Sequence, residues 1–346
     1  MNIFLTGATG FLGKQLVNDL LSDGHHIFIL ARNEKKAESL MSDVRNQDRV
    51  TAVYGDITMP LLGVEKDKLK ALKNKIDAVY HMAALLSFDP ADKEKTDFIN
   101  IDGTKNVLQF CEKLIVSKLL YVSTAYTIGM ETQGKEELYD VNRQFVNNYE
   151  ESKCHAEHIV YSYKDRMQVC ILRPAIIIGD SKTGEAKTNF GLYGLLRGIH
   201  ILKRRMEKRE TPNTFHILIE KDASSNLVPV DYVSSILKAA LTYGENGKVY
   251  NIANPNPSTQ EKVINIIKDV LNIPYLEGMS YKNEKDLTEE EKNFNQPLSV
   301  FKNYLSRTIH FPCENTKELI EQSNIELLDM DDVMLKVIVK GFLKRD

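Results

Sequence analysis

A tyrosine and a lysine near the middle of the chain could together move a proton. Tyr149 and Lys153 lie within residues 143–163, which contain neither proline nor glycine, so the sequence predicts a helix that carries both side chains on one face. An ammonium group beside a phenol favours the phenolate and lowers a pKa that is ordinarily about 10. The pair would then serve as an acid or a base near neutral pH.

A hydroxyl group earlier in the chain could join this pair. Thr124 follows the apolar segment Leu119–Ser123, which predicts a buried strand. Open α/β sheets bind their ligands at the carboxyl ends of parallel strands. Thr124 is therefore a candidate for the same site as Tyr149 and Lys153.

Three glycines near the start of the chain predict a nucleotide-binding turn. Gly7, Gly10 and Gly13 lie between a predicted strand, Ile3–Thr6, and a predicted helix that ends at about Leu21. Glycine allows a tight turn, close approach of backbone N–H groups to a pyrophosphate, and near contact between helix and strand. The spacing is G-x-x-G-x-x-G and not the G-x-G-x-x-G fingerprint. A glycine-rich turn without a ligand is the alternative, but the position between strand and helix favours a dinucleotide.

Arg32 is the residue that distinguishes between NADP(H) and NAD(H) as the predicted dinucleotide. It follows the second predicted strand, near the place where NAD-dependent proteins commonly carry an acidic residue that binds the ribose. Its planar guanidinium suits a 2′-phosphate, so the sequence favours NADP(H), with NAD(H) as the alternative. Asn33 could instead only cap the next helix, Glu34 could bind a ribose hydroxyl, and Arg32 could be a solvated surface charge.

Short apolar runs alternate with helix-length segments through the first half of the chain. Such runs suit a parallel sheet covered on both faces. The predicted fold class is therefore α/β, with a doubly wound parallel Rossmann sheet. The predicted strands are Ile3–Thr6, His26–Leu30, Val50–Tyr54, Ile76–His81, Leu119–Ser123 and Val169–Leu172.

The alternation weakens after Arg173 and resumes over Val228–Ala253 and the helix that follows Pro257. We therefore predict a Rossmann core over residues 1–174, rejoined by about 226–272. Residues 175–225 and 273–346 are predicted to form a smaller C-terminal substrate-binding lobe.

The bulk composition excludes several classes of protein. The 346 residues carry a formal net charge of −3 and are 42% hydrophobic, a balance typical of a globular protein without a field that attracts nucleic acid. The four cysteines lack the spacing of a metal site or a disulfide framework. His155 and His158 lack a third ligand nearby, so no metal is expected. No segment approaches the ~18 apolar residues of a membrane-spanning helix, and we expect a cytoplasmic protein.

Taken together, these features resemble the extended short-chain dehydrogenase/reductase superfamily over nearly the whole chain. In that superfamily a hydroxyl residue, a tyrosine and a lysine form the catalytic set, which the resemblance assigns to Thr124, Tyr149 and Lys153. An aspartate after the third strand binds the adenine, which corresponds to Asp56, and residues around Ala83 line the cofactor. The matching segments are Gly7–Gly13, Gly55–Ile57, Val79–Ala84, Asn100–Asn106, Thr124, Tyr149, Lys153 and Leu172–Pro174.

The glycine turn, Arg32 and this resemblance together give a set of expected cofactor contacts. The expected cofactor-binding residues are Gly7, Thr9, Gly10, Phe11, Leu12, Gly13, Arg32, Asp56, Ile57, Ala83, Ala84, Asn100, Tyr149, Lys153 and Pro174.

Three further segments resemble the thioester reductases and fatty acyl-CoA reductases of the male sterility type. They are His81–Phe88, Arg173–Gly184 and Val228–Val233. The resemblance implies a monomer or homodimer that reduces an acyl thioester, or a small carbonyl compound with an apolar tail, with NADP(H). A nucleotide-sugar epimerase or dehydratase with bound NAD, and a non-catalytic NADP(H)-sensing protein, are the alternatives. The basic run Lys203–Arg209 could contact a phosphorylated carrier or coenzyme A, although such runs are more often solvated helix ends.

Overall fold

A computed structural model of the protein describes residues 1–44, 46–188, 191–208 and 213–343. The chain divides into two compact units. Unit 1 comprises Met1–Ala175, Val233–Ile252 and Phe311–Leu327, and unit 2 comprises Ile176–Tyr232, Ala253–His310 and Leu328–Asp346. Arg209, the last residue of the basic run named above, lies outside the described residues.

The strands of the described residues are β1 (Asn2–Thr6), β2 (His26–Ala31), β3 (Val50–Tyr54), β4 (Ala78–His81), β5 (Lys118–Val122), β6 (Gln168–Pro174), β7 (Ile176–Ile178), β8 (Phe215–Leu218), β9 (Leu227–Pro229), β10 (Val249–Ile252) and β11 (Leu276–Met279). The α-helices are α1 (Phe11–Ser22), α2 (Glu34–Asp43), α3 (Lys66–Leu72), α4 (Lys93–Asp97), α5 (Gly103–Leu114), α6 (Asn148–Tyr161), α7 (Leu192–Met206), α8 (Val230–Tyr243), α9 (Gln260–Leu271), α10 (Glu289–Asn295), α11 (Lys302–Leu305), α12 (Glu314–Ser323) and α13 (Asp332–Leu343). Short 3₁₀ segments occur at Gln47–Arg49, Pro60–Gly63, Pro90–Asp92, Ala125–Ile128, Tyr281–Asp286 and Gln296–Phe301, and a π-helical turn at Phe98–Asp102.

Unit 1 is built on a seven-stranded sheet in the order β10-β6-β5-β4-β1-β2-β3. Each neighbouring pair is parallel, which confirms the predicted doubly wound Rossmann sheet. The strands are buried almost throughout; every residue of β5 is buried. The strand order reverses beside β1, so the carboxyl ends of β1 and β4 flank the crevice in which folds of this kind bind ligands.

The strand predictions hold because both faces of the sheet are covered, which makes each strand an uninterrupted apolar run. The prediction for β3 matches its observed bounds, whereas β4 begins at Ala78 and β6 extends from Gln168 to Pro174. Phe4 on β1 packs against Phe110 on α5, with ring centroids 4.8 Å apart. This contact belongs to the large apolar core of unit 1.

A buried ion pair joins α6 to β6. The Nε and Nη2 atoms of Arg173 donate to the two carboxylate oxygens of Glu157 over 2.9 and 2.6 Å, and both side chains are completely buried. The Arg173 guanidinium also donates to the Lys135 carbonyl (3.1 Å) and lies 4.2 Å from the centroid of the Tyr139 ring. Either charge would be destabilising if it were buried without its partner. The bidentate pairing therefore holds α6 in one position on the sheet.

The borders of the two units differ from the predicted ranges in three segments, and one of them is Asn226–Tyr232, which was predicted to rejoin the core and lies in unit 2. Phe311–Leu327 belongs to unit 1, because the Glu136 carboxylate accepts hydrogen bonds from the backbone of Asn251 (2.8 Å) and from the backbone of Asn315 (2.6 Å) at the start of α12. Ala253–Leu271, in contrast, belongs to unit 2, where α9 packs against α13. That unit 2 binds the substrate stays a prediction.

Unit 2 contains two separate two-stranded parallel pairs, β7 with β9 and β8 with β11. The Asn226 side chain donates through Nδ2 to the Asn254 carbonyl and accepts through Oδ1 from the Asn254 nitrogen, both over 2.8 Å. Gly184 and Gly341 allow the backbone of α13 to lie close to the backbone at Gly184. A Cβ atom on Gly341 would collide with the Gly184 carbonyl oxygen. Among the helices described in either unit, none is long and apolar enough to cross a bilayer.

The buried ion pair gives a prediction about stability. Glu157→Leu should lower the free energy of unfolding by about 3 to 5 kcal/mol, because Arg173 would stay buried without its partner. The double variant Glu157→Leu with Arg173→Met should lose less than the single variant, since it removes both charges. Urea denaturation of four proteins, namely the unmodified protein, Glu157→Leu, Arg173→Met and the double variant, measures the difference. A double variant at least as unstable as the sum of the two single variants would contradict this account.

Candidate active site

The glycine turn after β1 has different constraints at its three glycines. Gly7 has a φ of +77°, and a Cβ there would lie 2.7 Å from the Ala83 nitrogen. A Cβ on Gly13 would collide with the Gly7 carbonyl oxygen. Gly10 is exposed, and its Cβ would meet only that same oxygen, at 3.2 Å. Gly7 and Gly13 are therefore required by the fold, whereas Gly10 keeps the outer surface of the turn free of a side chain.

The turn has the properties of an anion site. Gly10 is the N-cap of α1 and supplies no side-chain hydrogen bond, and the first turn of α1 carries no acidic residue. The N–H groups and positive end of a helix favour a phosphate at this position. Thr9, Phe11 and Leu12 are partly exposed beside it. These residues fit the pyrophosphate of a dinucleotide.

Arg32 and Asp56 follow adjacent strands. Arg32 comes directly after β2 and is exposed; within the described ranges it has neither an ion pair nor a side-chain hydrogen bond. The Gly55 nitrogen donates to the Ala31 carbonyl over 3.1 Å, which brings Asp56 beside the end of β2. Asn33 caps α2 by accepting a hydrogen bond from the Lys36 nitrogen (3.0 Å), which confirms the alternative considered for this residue.

The neighbours of Asp56 are held by local contacts. Asp56 Oδ1 accepts hydrogen bonds from the nitrogen (2.9 Å) and hydroxyl (2.8 Å) of Thr58. Ile57 is buried, and its carbonyl accepts a 2.8 Å hydrogen bond from Asn106. The structure thus places both residues at the same sheet edge as Arg32.

A chain of buried hydrogen bonds connects β1 to the helix that contains the π-turn. His81, at the end of β4, has Nδ1 2.7 Å from the Thr6 hydroxyl and Nε2 3.0 Å from the Thr104 hydroxyl. The Thr104 hydroxyl donates its single proton to the Asn100 carbonyl over 2.6 Å. It must therefore accept from His81, so Nε2 carries the imidazole proton and Nδ1 accepts from Thr6.

His81 is neutral in this arrangement. Burial, reinforced by the nearby Lys153 charge, lowers the pKa of His81 to about 3. The Thr6 oxygen also accepts from the nitrogens of Met82 and Ala83, both over 3.2 Å. His81 therefore joins the strand that precedes the glycine turn to the loop that contains Ala83, and Ala84 follows in that loop with an exposed side chain.

Asn100 positions the helix that carries Tyr149 and Lys153. Its Nδ2 donates to the Leu85 carbonyl (3.0 Å) and the Ser152 hydroxyl (2.9 Å), and its Oδ1 accepts from the Leu85 nitrogen (2.7 Å). Ser152 in turn donates to the Tyr149 carbonyl over 2.8 Å. Sequence reasoning selected Asn100 as a cofactor contact and missed Ser152, because only the folded chain brings Ser152 to Asn100.

Lys153 is buried against the end of β5. Its Nζ donates to the Val122 carbonyl over 2.8 Å and lies 4.1 Å from the centroid of the Tyr121 ring. Burial lowers the pKa of Lys153 to about 7, while Glu157, one helical turn further along α6, acts in the opposite direction.

Tyr149 lies in the first turn of α6, which Asn147 caps by accepting from the Glu150 nitrogen (3.0 Å). Burial, with a contribution from Glu150, raises the pKa of Tyr149 well above its usual range. The expected lowering by Lys153 is therefore wrong for this structure. The ammonium of that lysine is directed to the Val122 carbonyl, and desolvation of the phenolate dominates.

The two hydroxyl residues that follow β5, Ser123 and Thr124, differ in their contacts. Thr124 is buried, and its Oγ1 accepts from the Tyr126 nitrogen (3.3 Å) at the start of the 3₁₀ segment. The buried Ser123 hydroxyl has no hydrogen-bond partner in the described part of the chain. Pro174, at the end of β6, is buried and pairs in register with Ile252.

Comparison with known proteins identifies the class to which this site belongs. The chain is 25% identical, over 98% of its length and 7% of the relative, to a linear gramicidin synthase of Brevibacillus parabrevis. It is 26% identical, over 70% of its length and 54% of the relative, to the fatty acyl-CoA reductase wat of Drosophila melanogaster. The terminal R domain of the myxalamid PKS-NRPS pathway has a similar structure, with a TM-score of 0.82, 25% identity, and coverage of 99% of this chain and 90% of that one.

The sheet, the glycine turn and the tyrosine–lysine helix define an extended short-chain dehydrogenase/reductase, a class of NAD(P)-dependent oxidoreductases. Residues 5–237 match the model of the NAD-binding family described as male sterility protein, and the chain belongs to that family. The predicted resemblance to thioester and fatty acyl-CoA reductases is thereby confirmed. The chain spans 54% of the length of the fruit-fly relative and 7% of the gramicidin synthase.

The glycine turn gives a second prediction. Gly10→Val should abolish NADPH binding, because a branched side chain would fill the space that the pyrophosphate needs. The variant should stay folded, since Gly10 has an extended backbone with φ −76° and ψ 174°. Titration calorimetry measures binding, and circular dichroism measures folding.

Gly13→Ala is the matched control for this experiment, because its Cβ would collide with the Gly7 backbone. It should lower the melting temperature, in contrast to Gly10→Val. A folded Gly10→Val protein with normal affinity for NADPH would mean that the phosphates bind elsewhere.

Proposed function

We propose that this chain is an NADP(H)-dependent reductase of an acyl thioester, or of another carbonyl compound with an apolar tail. The observation that carries the proposal is the environment of α6. Tyr149 is held in its protonated form, and Lys153 lies on the same helix at the end of the strand that leads to Thr124. The neutral phenol is the form that carries the proton to be donated during reduction.

When bound, the nicotinamide supplies the hydride. Tyr149 donates a proton to the oxygen on which negative charge develops, and Thr124 orients that oxygen through its hydroxyl. Lys153 would hold the ribose of the cofactor through its ammonium group. Reduction of a thioester in this way uses one hydride and one proton, breaks the carbon–sulfur bond, and yields an aldehyde and a free thiol.

The substrate class rests on the relatives. The fruit-fly relative is named a fatty acyl-CoA reductase, and the chain is also 27% identical over 68% of its length to the L-2-aminoadipate reductase large subunit of Penicillium chrysogenum. The solved structures of sugar-nucleotide dehydratases and epimerases are at most 18% identical and support the fold alone. Acyl thioesters are therefore favoured over nucleotide sugars.

The catalytic assignment predicts a graded set of defects. Tyr149→Phe should lower kcat by about 10²- to 10⁴-fold, the range of a general acid, with little change in NADPH affinity. Lys153→Ala should reduce both turnover and NADPH affinity. Thr124→Ser should be tolerated better than Thr124→Ala, because the chemistry needs a hydroxyl group. NADPH oxidation with acyl-CoA, aldehydes, ketones and nucleotide sugars measures these effects.

Two results would contradict the proposal. If Tyr149→Phe turns over the best substrate at nearly the normal rate, Tyr149 is not the proton donor. If the protein binds NADPH but oxidises it with none of these compounds, a cofactor-sensing role becomes the better account. Turnover confined to nucleotide sugars, with NAD retained through purification, would favour an epimerase or dehydratase.

The preference for NADP(H) rests on Arg32. A guanidinium paired with the 2′-phosphate should contribute about 1.5 to 3 kcal/mol, so NADPH should bind at least about tenfold more tightly than NADH. Arg32→Ala should remove most of this difference and leave NADH binding nearly unchanged. Titration of the unmodified protein and of Arg32→Ala with NADPH and NADH measures this preference. Equal affinities of the unmodified protein for the two cofactors would refute the assignment.

A further inference from the structure

The face of a buried tyrosine ring lies beneath the ammonium of Lys153. The Lys153 Nζ is 4.1 Å from the centroid of the Tyr121 ring. Tyr121 is completely buried, and Lys153 is 2% exposed. A buried ammonium loses its hydration and is stable only where other groups replace the water. An aromatic face at this distance is one such group, and the Val122 carbonyl is another.

The remaining charged and titratable groups around Lys153 lie on α6 itself, on β6 and on β4. On α6 itself, Glu157 favours the lysine charge, but both of its oxygens are already bound by Arg173 of β6. Tyr149 also lies on α6 and is neutral because burial raises its pKa. On β4, His81 is neutral for the reasons given above. The Glu157 carboxylate is therefore shared with Arg173, whereas β5 contributes the Val122 carbonyl and the face of the Tyr121 ring.

The Tyr121 ring is itself fixed in place. Tyr121 and His81 are register partners on adjacent strands, and their ring centroids lie 5.5 Å apart. His81 is held on either side by Thr6 and Thr104. Tyr121 also lies on a central strand of the sheet, in which every residue is buried.

We propose that Tyr121 is a positioning residue, whose ring face keeps Lys153 charged and directed toward the end of β5. The inference rests on the proposed function, in which Lys153 would hold the cofactor ribose. It concerns the aromatic face and not the phenol hydroxyl, so phenylalanine should replace tyrosine at this position.

The test is the pH dependence of NADPH binding, measured by fluorescence titration between about pH 6 and pH 9.5 on the unmodified protein, Tyr121→Phe and Tyr121→Leu. Affinity should be constant at low pH and fall as Lys153 loses its proton. Without the aromatic face, the charged lysine is less stable, so in Tyr121→Leu the fall should begin about 0.5 to 1.5 pH units lower. Tyr121→Phe should keep the unmodified profile.

Tyr80→Leu is the matched control for loss of a buried tyrosine. Tyr80 is also completely buried, lies on the adjacent strand, and donates to the Leu237 carbonyl. This variant should be destabilised without any shift of the pH profile. Tyr121→Met, which fills more of the space than leucine but has no aromatic face, replaces Tyr121→Leu if the leucine variant does not fold.

The inference is overturned if affinity in the unmodified protein does not vary with pH, if the leucine and methionine variants keep the unmodified profile, or if Tyr121→Phe shifts as far as they do. A shift to higher pH would also overturn it, because water entering the space would then be the dominant effect. The assay needs no acyl substrate. Failure of the protein to reduce thioesters would therefore count against the proposed function and leave this result standing.

Discussion

The attachment of α6 to the parallel sheet is the constraint on which the candidate site depends. Arg173 and Glu157 are completely buried, and neither charge is stable there without the other. Rotation of α6 about its axis would separate them. One turn before Glu157, the same helix presents Lys153 to the Val122 carbonyl, and one turn earlier still it carries Tyr149. A structural ion pair thus sets the positions of two residues assigned to the chemistry.

Much of the fold could be predicted from the sequence because β1 to β6 are continuous apolar runs, and the Tyr149–Lys153 spacing indicates a helix without any tertiary information. The borders of the two units could not be predicted in this way. Glu136 draws the start of α12 into unit 1 through hydrogen bonds to Asn315 and Thr316, residues far away in the chain. Likewise, no local pattern indicates that Ser152 would meet Asn100, since that contact forms only after the π-turn and α6 pack together.

The pKa values of Tyr149 and Lys153 show a second limit of predictions made from the spacing of residues in the sequence. A lysine four residues from a tyrosine suggests attraction between ammonium and phenolate, and on that basis a lowered phenol pKa. Spacing does not report how far the two groups are desolvated. In the folded protein burial acts on both, so that the pKa of Tyr149 rises and the pKa of Lys153 falls to about 7. Both shifts favour the less charged form, which in the tyrosine is the proton donor.

The π-turn at Phe98–Asp102 fixes the length of the segment between α4 and α5. A π-turn amounts to one extra residue inserted into an α-helix, and each helical residue advances the side-chain direction by about 100°. Deletion of a single residue here would restore regular helical geometry and yet turn Asn100 or Thr104 away from its partners. Chain length at this point is therefore as much a determinant of the site as the identity of any side chain. Within Phe98–Asp102, a substitution can leave the site intact, whereas an insertion or a deletion cannot.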